Sequence, residues 1–218
     1  MTLGWDDLHP FFGLTLRAPG GVELRYVDDD LLPALASVAA DGIHDASWQP
    51  LTEWTDVSDL ERGRAVVQHV WRTRGALSAE DWLLSFAVLR DGVVVGRQDL
   101  QSTRFALTRE VATGSWLGQV HQGRGTGTAM RLAVLSLAFD HLGAGSAVTG
   151  AYKDNLASDR VSQKAGYLRD GEAVEVVRGA RREARRYRMS LERWRDQGHP
   201  QAQVEGLTRS GRELLGAD

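Results

Sequence analysis

Cysteine is absent from all 218 residues. That excludes a thiol nucleophile, a thiolate-held zinc ion and a redox disulfide. The absence agrees with a cytosolic setting, where thiols stay reduced, without requiring one. Long apolar runs are missing as well. The stretch Ala133 to Phe139 falls far short of the roughly 20 residues a membrane helix needs. Asp6 and Asp7 stand beside Trp5 where a secretion signal would place basic and then apolar residues. Neither charge is in excess: 26 Lys and Arg against 29 Asp and Glu leave a net −3, with no general pull toward nucleic acid. Fixed-period repeats and low-complexity tracts are also lacking, which sets aside solenoids and propellers. What remains is ordinary globular composition, 42% hydrophobic and 25% charged. A chain of this length buries roughly 70% of its unfolded surface and needs no staples. The expectation is one cytoplasmic domain with no membrane partner.

Two short alternating runs, Phe11–Arg17 and Val22–Val27, flank Pro19-Gly20-Gly21 and predict a pair of strands. Asp28-Asp29-Asp30 then opens an apolar helix to about Ala40, the acids serving its N-terminus rather than a metal. Residues 41–55 read as a loop carrying His44, Trp48, Pro50 and Trp54, either a substrate wall or a lid over a buried ring. Ser58-Asp59-Leu60-Glu61 is a capping box for a helix to about Arg74. Asp91-Gly92 joins Trp82–Arg90 to Val93–Leu100 as a hairpin. A strand is expected at Ser115–Val120, then a largely buried helix from Gly125 to Leu142, interrupted only by Arg131, Asp140 and His141. A strand at Ser146–Ala151, a helix at Leu156–Ala165 and a strand pair over Gly166–Leu191 follow. Strands early and a βαβα pattern late predict a mixed α/β fold, helices on both faces of the sheet. Residues 192–218 read as an irregular tail beyond a single domain over 1–191. The arginines at 178, 181, 182, 185, 186 and 188 lie among Glu172, Glu175 and Glu183. A charged, solvated strand edge explains them better than a nucleic-acid patch.

The segment from Gly114 to Met130 carries the chemistry. A strand enters a loop with glycines at 123, 125 and 127, and the loop opens into the buried helix. Glycine permits left-handed backbone and close approach. Free amides of a first helical turn, with the helix dipole, favour an anion such as a pyrophosphate. The Walker A pattern fails because no Gly-Lys-Ser/Thr follows. The dinucleotide fingerprint fails on spacing, and Gly143-Ala144-Gly145-Ser146 stands where its acidic ribose partner belongs.

Gln122, Gly125 and Gly127 form Gln-x-x-Gly-x-Gly, which resembles the acyl-coenzyme A pyrophosphate loop of the GNAT superfamily of N-acyltransferases. Further on, Asn155-Leu156-Ala157-Ser158, then Lys164, Gly166 and Tyr167, resemble that superfamily's second motif. The likeness is greatest to the branch of RimJ- and RimL-like ribosomal-protein N-acetyltransferases. Leu24-Arg25 and Val95-Gly96 resemble its opening strand and central hairpin, so the resemblance spans roughly residues 12–191.

The resemblance implies a mixed, mostly antiparallel twisted sheet and direct acyl transfer from acetyl-CoA or succinyl-CoA to a primary amine, with no metal. It implies that the amides of Gln122, Gly123, Arg124, Gly125, Thr126, Gly127 and Thr128 cradle pyrophosphate, with Arg124 adding charge. Leu117 would pair with the pantetheine arm where the central strand parts from its neighbour, freeing an amide for the thioester carbonyl. Asn155 would touch the cofactor or hold the split open, or simply cap its helix. The donor to the departing thiolate stays open among Ser158, Ser162 (where many relatives carry tyrosine) and water. The base stays open among His44, Glu53, Asp99, Glu110 and His121. The acceptor is a protein N-terminus, a lysine or a small amine, and a homodimer is compatible with the family. The rival class is a non-catalytic acyl-CoA sensor.

Overall fold

The computed structural model describes residues 4–44, 55–177 and 179–218. The expected aromatic wall or lid at Trp48 and Trp54, with Pro50 and Glu53, therefore lies outside the described residues, as does Arg178.

Among the described residues nine strands form one sheet: β1 (Thr15–Ala18), β2 (Val22–Tyr26), β3 (Asp81–Arg90), β4 (Val93–Thr103), β5 (Glu110–Leu117), β6 (Ser146–Tyr152), β7 (Leu168–Val177), β8 (Ala180–Ser190) and β9 (Gln203–Glu205). Their order is β7-β8-β6-β5-β4-β3-β2-β1-β9. Only β5 and β6 run parallel; the other neighbours are antiparallel. The expected mixed, mostly antiparallel sheet is what forms.

Side chains alternate across a strand, and β3 shows it. Phe86 and Val88 enter the main core with Val134 and Leu137, under helix α5 (Thr126–Ser136). Ala87 and Leu89 enter a second core with Leu35 of α2 (Leu32–Ala40) and Val66 of α3 (Asp59–Gly75). Helices thus cover both faces, and a short helix, α1 (Trp5–Leu8), precedes β1.

Local chemistry set several boundaries. Asp28 Oδ1 accepts from the Leu31 amide at 2.9 Å and closes a turn ahead of α2, but the N-cap is Leu31 and no side chain caps the helix, so the acidic run does not play the capping role expected of it. Asp91 and Gly92 both take positive φ (51° and 81°), as a two-residue hairpin demands. At the start of α3 the Ser58 amide donates to Glu61 Oε2 at 3.1 Å while the Glu61 amide donates to Ser58 Oγ at 3.4 Å. A Ser58→Ala protein is expected to lose about 1 kcal/mol of stability. A urea titration checks this: the midpoint falls and the slope stays unchanged.

Other boundaries differ from expectation. The first strand begins at Thr15, because Leu14 N donates to Phe11 O at 2.9 Å and closes a turn over Phe11–Leu14. β5 starts at Glu110 rather than Ser115 and stops at Leu117, where Gln119–His121 tightens into a 3₁₀ turn. α5 ends at Ser136 and continues as a π turn over Leu137–His141, closed by Leu142 N donating to Leu137 O. A single turn, α4 (Phe105–Thr108), sits between left-handed Arg104 and Arg109.

Two larger corrections concern the C-terminal half. Residues 192–218 are not irregular. They form α7 (Leu191–Gln197), β9 on the edge of β1, and α8 (Arg209–Leu214). Trp194 stacks on Phe139 and donates to Asp140 at 2.9 Å, and Trp82 donates from Nε1 to Leu215 O at 3.1 Å. Nor is the arginine-rich strand β8 an edge; it lies between β7 and β6. Its cations meet carboxylates instead: Arg182 holds both oxygens of Asp154 at 2.8 Å, Arg181 holds Glu183, and Arg188 holds Glu110 and Asp170. Among the described residues no helix is long and apolar enough to cross a membrane.

Candidate functional site

The glycine loop divides its tasks. Gly123 and Gly125 take φ +76° and +82°, which side chains rarely adopt, and a Cβ at either would meet nothing within 4 Å. Gly127 serves closeness instead: a Cβ there would stand 3.1 Å from Val161 on α6 (Leu156–Lys164), so glycine lets α5 and α6 pack tightly. Left-handed Gly125 is the N-cap of α5 and offers no side-chain cap. Among the described residues no backbone carbonyl accepts from the amides of residues 123–127. An uncapped helix start with free donors suits an anion.

Gln122 ties this loop down. Its Nε2 donates to Leu117 O at 2.9 Å and to Ile43 O at 2.8 Å, so the loop is fixed to the end of β5. Leu117 itself pairs with Gly96 across β4, and a Cβ at Gly96 would reach 2.3 Å from Trp116 O. The pairing of β5 with β6 lasts only from Glu110↔Ser146 to Ala112↔Val148, and beyond it the two strands diverge. A cleft of about 360 Å³ runs from the glycine loop into this split.

The structure brings most of the expected residues to that cleft. Leu117, Gln122, Gly123, Gly125, Gly127 and Thr128 line it from the β5 side and the loop. Asn155 and Ser158 line it from α6. Arg124 and Thr126 do not: Arg124 O and Thr126 Oγ1 both accept from Arg90 Nη1, at 3.1 and 3.0 Å. Asn155 caps α6, its Oδ1 accepting from Ser158 N at 3.1 Å, which holds Ser158 at the cleft wall. Ser162 is fully buried and its hydroxyl donates to Ser158 O at 3.1 Å. The structure thus separates the two serines, one on the wall and one beneath it.

Of the base candidates, His44 lines the cleft, and burial holds its imidazole below the ordinary 6.5. Asp99 is buried on β4, with Oδ1 accepting from Ser85 at 2.8 Å and Oδ2 paired to Arg97 at 2.9 Å. Burial opposes ionisation of Glu110, yet Arg188 and Ser146 hold it below the usual carboxylate range. Sequence reasoning passed over His69, whose Nε2 lies 4.0 Å from Asp99; burial first, then Arg97, lowers it to about 4.

It also read Arg131 only as an interruption in the apolar cover of α5. Arg131 is 2% exposed and lines the cleft. A signal was available: Val134, Leu135 and Ala138, three, four and seven residues on, are all buried, which puts position 131 on the inner face. Arg160 and Lys164 add further cations to the cleft wall.

A model of the family described as "Acetyltransferase (GNAT) domain" matches residues 22–168. Solved structures similar to this chain include Mycobacterium smegmatis RimJ in complex with CoA-disulfide, at 21% identity over 89% of this chain and 98% of that one, TM-score 0.68. Another is RimL, a ribosomal L7/L12 alpha-N-protein acetyltransferase in complex with coenzyme A, at 18% identity, 82% and 99% coverage and TM-score 0.65. A third is the ribosomal-protein-S5-alanine acetyltransferase from Vibrio fischeri, at 17% identity, 82% and 98% coverage and TM-score 0.63. At these identities the likeness is one of fold.

Proposed function

Because the chain belongs to the GNAT acetyltransferase family, we propose that it moves an acyl group from acyl-CoA directly to a primary amine within a ternary complex. One observation carries the reading: a single cleft joins a glycine loop of free amides to a split between β5 and β6. The loop end suits pyrophosphate, with Arg160 and Lys164 adding charge from α6. The split end suits a thioester lying beside the unpaired edge of β5. There the amine nitrogen bonds to the carbonyl carbon, the carbon–sulfur bond breaks, the thiolate leaves, and the proton shed by the amine ends on that sulfur as the free thiol. Acetyl is the donor the family description names. The solved RimL and RimJ complexes contain coenzyme A, and RimL is named for a ribosomal-protein amine. Both facts support coenzyme A as carrier and a protein amine as acceptor here.

Ser158 is the donor this reading assigns to the thiolate, since it lines the cleft while Ser162 spends its hydroxyl on a backbone carbonyl. Ser158→Ala is expected to lower kcat about 100-fold while acetyl-CoA affinity holds. Ser162→Ala should leave kcat near wild type. Steady-state thiol release with a fixed amine, alongside calorimetric binding, checks both. The proposal as a whole is tested by titrating the protein with acetyl-CoA and with free CoA. Binding no tighter than about millimolar, roughly −4 kcal/mol, overturns it. Binding without transfer to any peptide or small amine assigns the chain to the sensor class instead.

A further inference from the structure

Arg131 is a cation without an anion. It is 2% exposed, and its polar contacts are all neutral: Nη1 donates to Thr149 Oγ1 at 3.2 Å, Nη2 donates to Ser115 Oγ at 3.1 Å, and the Tyr167 hydroxyl lies beside it. Its Nε is buried with no partner at all. None of its electrostatic partners among the described residues is a carboxylate. Guanidinium stays protonated in proteins, and an isolated buried charge costs several kcal/mol. A fold keeps such a group where a counter-ion arrives from outside.

The place it arrives is defined. Ser115 stands on β5 and Thr149 on β6, both beyond the last paired residues, Ala112 and Val148, so Arg131 spans the split from beneath. It lines the main cleft and also a second cavity of about 260 Å³, whose wall also carries Glu175, its Oε2 accepting from the Tyr152 hydroxyl at 3.0 Å. Ser115, Asn155 and Ser158 are shared by the two. The second cavity therefore continues the first past the position assigned to the thioester. An acetyl group ends in a methyl, which gains nothing from a charged, hydroxyl-lined floor.

We propose that Arg131 is an anion receptor at the end of the acyl channel, and that the physiological donor is a coenzyme A thioester of a short dicarboxylic acid, succinyl in type. This rests on the acyl-CoA reading above. The terminal carboxylate takes up the free Nε–H and the remaining Nη–H, as a planar fork meets a planar carboxylate. The departing thiolate is a rival anion, but it exists only after bond cleavage. Among the described residues no carboxylate partners the cation in the resting protein, and a charge carried by the donor can meet it.

The test compares succinyl-CoA with butyryl-CoA, which matches its chain length without the charge, and with acetyl-CoA. Calorimetry on the full chain is expected to give succinyl-CoA the lowest Kd, at least about tenfold below butyryl-CoA. In Arg131→Met that preference disappears while butyryl-CoA binds as well or better. A buried ion replaced by an apolar side chain of similar volume is usually tolerated, and Arg131→Lys, retaining the charge, should keep part of the preference. Equal affinity for succinyl- and butyryl-CoA in wild type overturns the proposal. So does a preference that survives Arg131→Met, or a loss of turnover with every donor alike, which would assign the cation to the thiolate. If no thioester binds, the acyl-CoA reading itself has failed; if acetyl- and butyryl-CoA bind best, only the dicarboxylic donor has.

Discussion

Gly125→Val will fold and will no longer hold acyl-CoA. The native φ of +82° is one a β-branched residue enters only at a cost of about 1–2 kcal/mol. No atom lies within 4 Å of the added Cβ, so the cost is conformational rather than steric. The chain relieves it by turning the peptide, and the amides that follow turn with it. Those are the free donors of residues 126 and 127 at the start of α5. Calorimetry should show acyl-CoA affinity falling at least about 100-fold, near 2.7 kcal/mol. Gly143→Val is the control. It carries the same handedness, φ +74°, in equally open space, away from the cleft. It should lose comparable stability and keep its affinity. Retained binding in Gly125→Val would mean that the loop does not carry the anion.

Removing residues 206–218 is expected to unfold the protein or leave it aggregated. Leu215 is fully buried, Ala217 nearly so, and the Leu215 carbonyl accepts from Trp82, itself 1% exposed. Gly211 brings α8 against Phe11, where even an added Cβ would stand 3.2 Å from the ring. Truncation would leave an indole donor and several apolar side chains facing water. The milder Leu215→Ala keeps the backbone and should cost about 2–5 kcal/mol, a large fraction of the roughly 5–15 kcal/mol that holds a domain together. Thermal unfolding reads it directly, and kcat of the protein that remains folded should match wild type. An unchanged midpoint would make the C-terminal segment dispensable.

What the sequence revealed depended on how far each feature's cause reached. The Asp91-Gly92 hairpin and the Ser58–Glu61 box are set by residues within a few positions of one another, and both form as expected. The glycine loop was legible for the same reason: its backbone angles are written in residues 123 and 125. β9 was not. It has three residues, and its partner Thr15–Arg17 lies far away in the chain, so no periodicity could announce it. Phe11 and Leu14 look like strand residues because they are apolar, but they are buried by a turn. The placements of Arg131 and Ser162 were illegible for a common cause. A charged or hydroxyl side chain on a helix is usually solvated or bonded locally, and only tertiary placement shows which one faces a cavity and which does not.

The short parallel seam between β5 and β6 has a mechanical meaning. Six strands, β1 to β5 and β9, lie on one side of it and three on the other, and only Glu110–Ala112 and Ser146–Val148 join them as a ladder. Nine strands are thus two plates, fastened at one end and parted at the other. Past the fastening the plates are held by side-chain struts, Thr149 to the Thr113 carbonyl and Arg131 to Ser115 and Thr149. A thioester arm laid along the open edge would supply the missing rungs and turn two plates into one. The stiffest state of this sheet would then be the one carrying the proposed substrate, and each release of coenzyme A would unfasten it again.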